Sequence, residues 1–245
     1  MLIKIVTFNI AHGKGLDETI DVERQANLVN TFKPDIVFLQ EIDMYTKRAG
    51  ERNQIREFSK KVYLPYCSME SNITLEDGYY GDGIISRFPI SFSVNYLMPL
   101  TDLNHEQRGI LYNRISLGTA KINLFSVHLS TYEDERILAC KELNRIMSKI
   151  DKNEIIIIGG DFNVGVTRLG KGKYTFEKRE QYEEYNLLGK NLKRIPNEED
   201  TWFSKLGQGC IDTIFYSNNI ELLKFETIDS EQKSDHSIIY AEFDI

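Results

Sequence analysis

The chain has 245 residues, of which 41% are hydrophobic and 27% charged, and a formal net charge of -7. That length suits one large domain or two small ones with a substantial core, and the negative balance disfavours a general nucleic-acid coat protein while leaving room for a local basic patch. The three cysteines, Cys67, Cys140 and Cys210, are odd in number, far apart and form no C-x-x-C, so neither a zinc knuckle nor a disulfide framework is indicated and a reducing compartment is expected.

The first residues, "MLIKIVTFNIAHG", hold a short apolar run broken by Lys4 and lack a signal-peptide layout. No apolar run reaches the length of a membrane span, so a cytoplasmic location is expected. Residues 2–9 alternate loosely and predict a strand. Residues 20–33 place Val22, Ala26, Leu28, Val29 and Phe32 on one helical face. A second strand follows in "DIVFLQE", residues 35–41, and two more lie around Pro89 in residues 83–98. Residues 110–130 read as a hairpin turning at Gly118. Ile137, Leu138, Leu143 and Ile146 predict a helix over 133–149, and a further helix is expected at about 177–190. Strands are predicted in "EIIIIGG" (154–160), "GCIDTIFYS" (209–217) and "SIIYAEFDI" (237–245). The chain shows no repeat, low-complexity segment or Pro/Ser-rich linker, so residues 1–245 read as one domain. Hairpins mixed with crossover helices predict an α+β sandwich, two packed sheets with helices outside.

Polar residues gather at the ends of these strands. Asn9 ends the first, Glu41 the second, and His128 the strand "NLFSVH". Asp161 and Asn163 follow the isoleucine run and share one side of an extended backbone. Asp212 lies inside a strand, and Asp235 and His236 introduce the last one. Singly, each has a plain structural reading: a solvated strand end for Glu41, a turn for Asp161 and Asn163, a hydrogen-bonded core residue for His128. Together they predict one polar cleft. Glu41, Asp161, Asp212 and Asp235 offer hard oxygen donors and no cysteine joins them, which favours Mg²⁺ or Mn²⁺ over zinc. His128 and His236 then suit proton handling or stabilisation of negative charge.

The blocks "VTFNI", "PDIVFLQE", "GIISRFPI", "SVHLS", "IIIGGDFN", "IDTIFYS" and "SDH", spread over residues 6 to 236, resemble the endonuclease/exonuclease/phosphatase family of metal-dependent phosphodiesterases and phosphatases. The resemblance implies a four-layer α/β/β/α sandwich of the DNase I-like type and hydrolysis of a phosphoester with one or two Mg²⁺ ions, Mn²⁺ serving as substitute. It makes Glu41 the main metal ligand, supported by Asn9, with Asp235 touching a metal. Asp161 would orient or deprotonate the attacking water, and Asn163 would hold a phosphate oxygen. His236, oriented by Asp212, would stabilise the pentavalent transition state, and His128 matches a second histidine near the phosphate.

Two departures bear on substrate. Asp82 stands in "YGDGIISRFPI" where many members carry a phosphate-binding asparagine, so it pairs with His128, binds metal or faces away. Ala11 stands where the abasic-site endonuclease branch has an aspartate, and "QEID" replaces that branch's "QETK". Both argue against a DNA-repair endonuclease. The basic runs at 47–61 and 168–180 follow site residues directly and could steer an anionic substrate, with interleaved glutamates favouring a solvated helix face of mixed charge. Arg108 is a further candidate phosphate contact. The expected activity is metal-dependent hydrolysis of a soluble or nucleotide phosphoester. A DNA or RNA nuclease is the alternative enzyme, and a non-catalytic binding protein on the same fold is the alternative class.

Overall fold

The computed structural model describes residues 1–170, 173–204 and 207–245. In chain order, β1 (Leu2–Asn9) leads through a short turn to α1 (Val22–Asn30), β2 (Ile36–Met44), α2 (Gln54–Lys61), β3 (Tyr66–Leu75), β4 (Gly78–Ser86) and β5 (Ile90–Leu97). Then come β6 (Gly109–Leu117), β7 (Ala120–His128), α3 (Glu133–Met147), β8 (Ile155–Asp161), β9 (Val166–Gly170), β10 (Lys173–Phe176) and α4 (Glu183–Gly189). The chain finishes with β11 (Leu192–Arg194), β12 (Trp202–Ser204), β13 (Gly207–Gly209), β14 (Asp212–Ser217), β15 (Glu221–Ile228) and β16 (Ile238–Asp244). Local chemistry sets the helix starts. Asp21 accepts from the Glu23 and Arg24 amides ahead of α1, and Asn53 from Arg56 ahead of α2. Glu133, Asp134 and Glu135 fill the first turn of α3, where the helix dipole favours anions.

Two six-stranded sheets stack face to face. One has the order β15-β16-β1-β2-β4-β3, the other β11-β14-β8-β7-β6-β5. Each is antiparallel except at its centre, where β1 runs parallel to β2 and β7 parallel to β8. Inward side chains, among them Ile3, Ile5, Phe38, Ile84, Leu124, Ile157, Ile214 and Phe243, form the core between the sheets. α1 and α2 cover the outer face of the first sheet through Val22, Ala26, Val29, Ile55 and Phe58. α3 and α4 cover the second through Ala139, Cys140, Leu143 and Leu188. The architecture is therefore the four-layer α/β/β/α sandwich.

The isoleucine run of β8 needs its two glycines for packing reasons. A Cβ on Gly159 would sit 2.6 Å from the Phe38 ring of the facing sheet, and one on Gly160 only 1.9 Å from the Val127 carbonyl. Corrections to the sequence reading are few. The helix expected at about 177–190 spans only Glu183–Gly189, and β3, β11, β15 and the short ribbons β9–β10 and β12–β13 were not foreseen. Of the basic run 168–180, residues 171 and 172 lie outside the described residues.

Candidate active site

The parallel centres of both sheets point their C-terminal ends the same way and deliver polar groups into the space between them. Ile3, Ile5 and Asn9 share the inward side of β1, as Leu124 and His128 do on β7 and Ile157 and Asp161 on β8. Asp161 is the register partner of both His128 and Asp212. Glu41 arrives differently. The β2–β4 register slips between Leu39 and Ile42, and Glu41 has a left-handed backbone, φ +58°. This bulge turns two consecutive side chains inward. Gln40 bridges Thr7 and Ser126 (3.3 and 3.2 Å), while Glu41 Oε1 accepts from Asn9 Nδ2 at 3.2 Å. A non-glycine residue held at positive φ costs on the order of 1–3 kcal/mol and is typical of functional sites.

Asp161 is the hub. Its Oδ2 accepts from Asn9 Nδ2 at 3.1 Å and faces His128 Nε2 at 3.4 Å and His236 Nε2 at 3.8 Å. Its Oδ1 accepts from the Asn163 amide at 2.9 Å. Asn163, also at positive φ, spends one side-chain N–H on the Leu129 carbonyl and keeps a second. Burial and the charge of Asp212 push the Asp161 carboxyl up.

The two histidines differ in charge. His236 Nδ1 lies 2.8 Å from Asp212 Oδ2, which also accepts from Thr201 Oγ1 at 2.7 Å. Burial opposes protonation, but Asp212, Asp235 and Asp161 outweigh it and raise His236 to about 10. His128 Nδ1 faces Arg108 Nη1 at 2.7 Å. A guanidinium only donates, so His128 Nδ1 accepts and its hydrogen sits on Nε2, toward Asp161 and, at 4.0 Å, Glu41. Burial, Arg108 and His236 hold this ring well below the usual range, hence neutral. Thus an imidazolium and a neutral imidazole both aim N–H groups at one carboxylate.

Of the three placements open to Asp82, pairing with His128 does not occur. Arg108 takes the histidine, and Asp82 Oδ2 accepts from Asn72 at 3.0 Å while its buried Oδ1 has no partner. Asp82 nonetheless lies inward on β4, in line with Ile84. Burial lifts it to about 7, Arg108 and Asn72 opposing and Glu41 adding. Arg108 also pairs with Glu106 at 3.2 Å. Asp235 is half-buried, its backbone carbonyl accepting from Phe203 and its charge felt by Glu41 and His236. Sequence reasoning missed Thr201 and also Ser234, whose hydroxyl donates to the Asn9 carbonyl and accepts from the His236 amide. The serine of "SDH" was the available signal. Thr201 carries no local signal. Beside it, Trp202 makes a β-bridge with His236.

A hard divalent cation fits the donors present. Glu41, Asn9, Asp161 and Asp235 offer oxygens, and burial together with Asp235 raises Glu41, so the cluster carries negative charge that such an ion would offset. Asp161, Asp212 and His236 form a further group, with ligand atoms within 4.8 Å of one another. There, however, His236 Nδ1 and Asp212 Oδ2 are committed to each other, so the group reads as a charge-holding pair with its neighbour. The basic run at 47–61 is largely neutralised, Lys47 by Asp77, Arg48 by Asp43, Arg52 by Glu57 and Lys61 by Glu23.

Residues 6–236 match the family model described as "Endonuclease/Exonuclease/phosphatase family". The chain belongs to this family. Its members are typically hydrolases of phosphoesters and generally need a divalent metal. Similar solved structures include the endonuclease/exonuclease/phosphatase from Beutenbergia cavernae DSM 12333, at 15% identity and TM-score 0.75 over all of this chain and 72% of that one. D. rerio TDP2 complexed with single-strand DNA product is 19% identical, with TM-score 0.72 over 100% and 99% of the two chains. Bacteroides thetaiotaomicron VPI-5482 mannosyl-6-phosphatase Bt3783 is 15% identical, with TM-score 0.70 over 99% and 100%. At these identities the likeness shows the fold alone. A search of curated proteins finds no match. Among the described residues, no helix is long and apolar enough to cross a membrane.

Proposed function

We propose that the protein is a Mg²⁺-dependent phosphoester hydrolase, with Mn²⁺ as substitute, acting on a soluble or nucleotide phosphodiester. One observation carries this reading: two imidazole N–H groups, one charged and one neutral, converge with Asn9 on the buried Asp161 carboxylate. A phosphoryl group entering there would take over both donors. His236, kept cationic by Asp212, would meet the negative charge that builds on the equatorial oxygens. His128, fixed by Arg108, would donate a neutral hydrogen bond beside it. Asp161, oriented by the Asn163 amide, would accept the proton of the attacking water, and the remaining Asn163 N–H would hold a phosphoryl oxygen. Glu41, Asn9 and Asp235 would hold the ion, which when bound supplies Lewis-acid polarisation of the phosphoryl oxygen. We read residues 1–245 as one domain of this kind, which the continuous core between the two sheets supports.

The test is a substrate panel with Mg²⁺, Mn²⁺ or EDTA. It comprises a nitrophenyl phosphodiester, lipid head groups, nucleotides, and plain and abasic DNA. Turnover should require the cation. Asp161→Ala should abolish it without unfolding the protein by circular dichroism, and Glu41→Gln should cut it by roughly two orders of magnitude or more and raise the Mg²⁺ requirement. Full activity in EDTA, or in Asp161→Ala, overturns the proposal. The second reading, a nuclease, is favoured by the likeness to TDP2 in complex with single-strand DNA. It predicts that the DNA arms of the panel exceed the small esters.

A further inference from the structure

Arg108, whose contact sets the His128 tautomer, stands at the end of a long connection. Residues 98–108 join β5 to β6 as a loop closed at its neck. There the Met98 amide donates to the Arg108 carbonyl at 2.8 Å, and Gln107 Nε2 donates to the Met98 and Arg108 carbonyls, both at 2.8 Å. The body of the loop packs little: Leu103 is 92% exposed, and Thr101, Asp102 and Asn104 are exposed too. Among the described residues, its side-chain hydrogen bonds to the rest of the chain go to two places, His128 and Glu135.

Glu135, in the first turn of α3, is only 3% exposed and gathers these segments. Its Oε1 accepts from the Thr101 amide at 2.9 Å and from the Thr101 hydroxyl at 3.1 Å. His105 Nδ1 lies 2.7 Å from the same oxygen, and since a carboxylate only accepts, the ring donates. The His105 ring stacks flat on Tyr132, with 3.5 Å between centroids and 9° between planes. Glu135 Oε2 accepts from the Ser130 hydroxyl at 2.6 Å. Ser130 follows His128 by two residues, and between them Leu129 is pinned on both sides. Its amide donates to the Asp161 carbonyl at 2.9 Å, and its carbonyl accepts from Asn163 at 2.9 Å. One carboxylate therefore bridges the strand end that bears His128 and the loop that bears Arg108. Burial opposes its ionisation, but Ser130, His105 and Thr101 outweigh burial and lower the carboxyl. A glutamate at a helix start could serve the helix alone. Here, however, all the donors to Oε1 come from residues 30 and 34 positions away.

We propose that Glu135 is a positioning residue: it clamps the loop 98–108 to the segment after His128 and so keeps Arg108 on His128 Nδ1. The hydrogen of His128 then stays on Nε2, facing the place of the phosphoryl group. Released from the clamp, Arg108 keeps its pairing with Glu106, while His128 Nδ1 is free to take the hydrogen. A lone pair then stands where the donor stood. This assignment rests on the hydrolase reading above and names what holds one of its two imidazole donors.

The test pairs kinetics with long-range proton–nitrogen NMR of the imidazoles, which four histidines keep simple. His128→Gln assigns the signal. Wild type should show His128 as a single Nε2–H tautomer. Glu135→Ala should give a mixture and lower kcat for a nitrophenyl phosphodiester about tenfold, as loss of one hydrogen bond would, with KM changed about twofold or less. Glu135→Gln should restore most of both, because its oxygen still accepts from Thr101 and His105 while its amide donates to Ser130. In a double-mutant cycle, Glu135→Ala should add little loss once Arg108→Met is present, since it acts through Arg108. Additive losses, or an unchanged His128 signal in Glu135→Ala, overturn the assignment. Should Glu135→Ala fail to fold, His105→Phe carries the same comparisons at reduced size, since it keeps the stack on Tyr132 and removes one bond to Glu135. If no ester is turned over, the hydrolase reading falls, and the clamp stands or falls by the His128 signal in Glu135→Ala and Glu135→Gln.

Discussion

Asp82 places a carboxyl inside the cleft, buried with one oxygen unpartnered. Its proton is held up to about 7 in the fold, against an ordinary aspartate near 3.8. Between those values the folded state binds more protons than the unfolded one, so stability falls as pH rises through the interval. Melting in EDTA should therefore show Asp82→Asn gaining on wild type between pH 5 and pH 8.5; a constant difference in Tm would mean that Asp82 ionises normally. The same anion disfavours a doubly charged monoester more than a diester, so Asp82→Asn should raise the monoester-to-diester ratio of kcat/KM, most above pH 7. An unchanged ratio would place Asp82 out of reach of the phosphate. His236 runs with the same sign in a higher window: its folded value, about 10, exceeds the unfolded 6.5, so the stability of its charged pair with Asp212 is full below 6.5 and lost as pH rises through 10. Asp212→Asn should lose less activity than His236→Ala and move the alkaline limb of the pH–rate profile downward. The polar groups Asn9, Glu41, His128, Asp161, Asp212 and His236 stood out in the sequence because each ends, interrupts or introduces an apolar strand. The Arg108–His128 contact and the Thr201 hydroxyl under Asp212 were not, because partners 20 and 11 residues away follow from tertiary folding alone.

Among the elements, those with an unbroken apolar face were readable from sequence, and those at the margins were not. β1, β8 and β16 line the core on their inward sides and match the predicted strands closely. β3 was missed because it is an edge strand, "YCSMESNITL", only half-buried along its length. α2 falls in the run read as a solvated helix face of mixed charge, and its buried apolar face is only Ile55 and Phe58. The bulge in β2 is invisible in "DIVFLQEIDM", since left-handed backbone at a glutamate has no propensity signal. Where the elements meet, small residues are dictated by the opposite sheet. Gly159→Ala should lower stability by about 1–3 kcal/mol through overpacking against Phe38. Adding Phe38→Leu should recover part of the loss in chemical denaturation. Additive losses would show that the glycine is needed for a reason other than this contact.

For the molecule as a whole, the charge of -7 and the pairing of Lys47, Arg48, Arg52 and Lys61 disfavour a long polyanion. Duplex DNA should bind weakly, with affinity falling steeply as salt rises, in fluorescence anisotropy. Tight binding that persists at high salt would contradict this. The wiring of the two sheets has a kinetic consequence. The site joins Asn9 to Asp161 and to Ser234, contacts spanning 152 and 225 residues, and β16, which follows His236 directly, must insert between β15 and β1. Loop closure over such distances is slow, so the chain should collapse well before it is competent. The sole tryptophan, Trp202, is bridged to His236 and so reports on that final step. During refolding, its fluorescence and the return of activity should rise together, later than the far-ultraviolet signal of the helices.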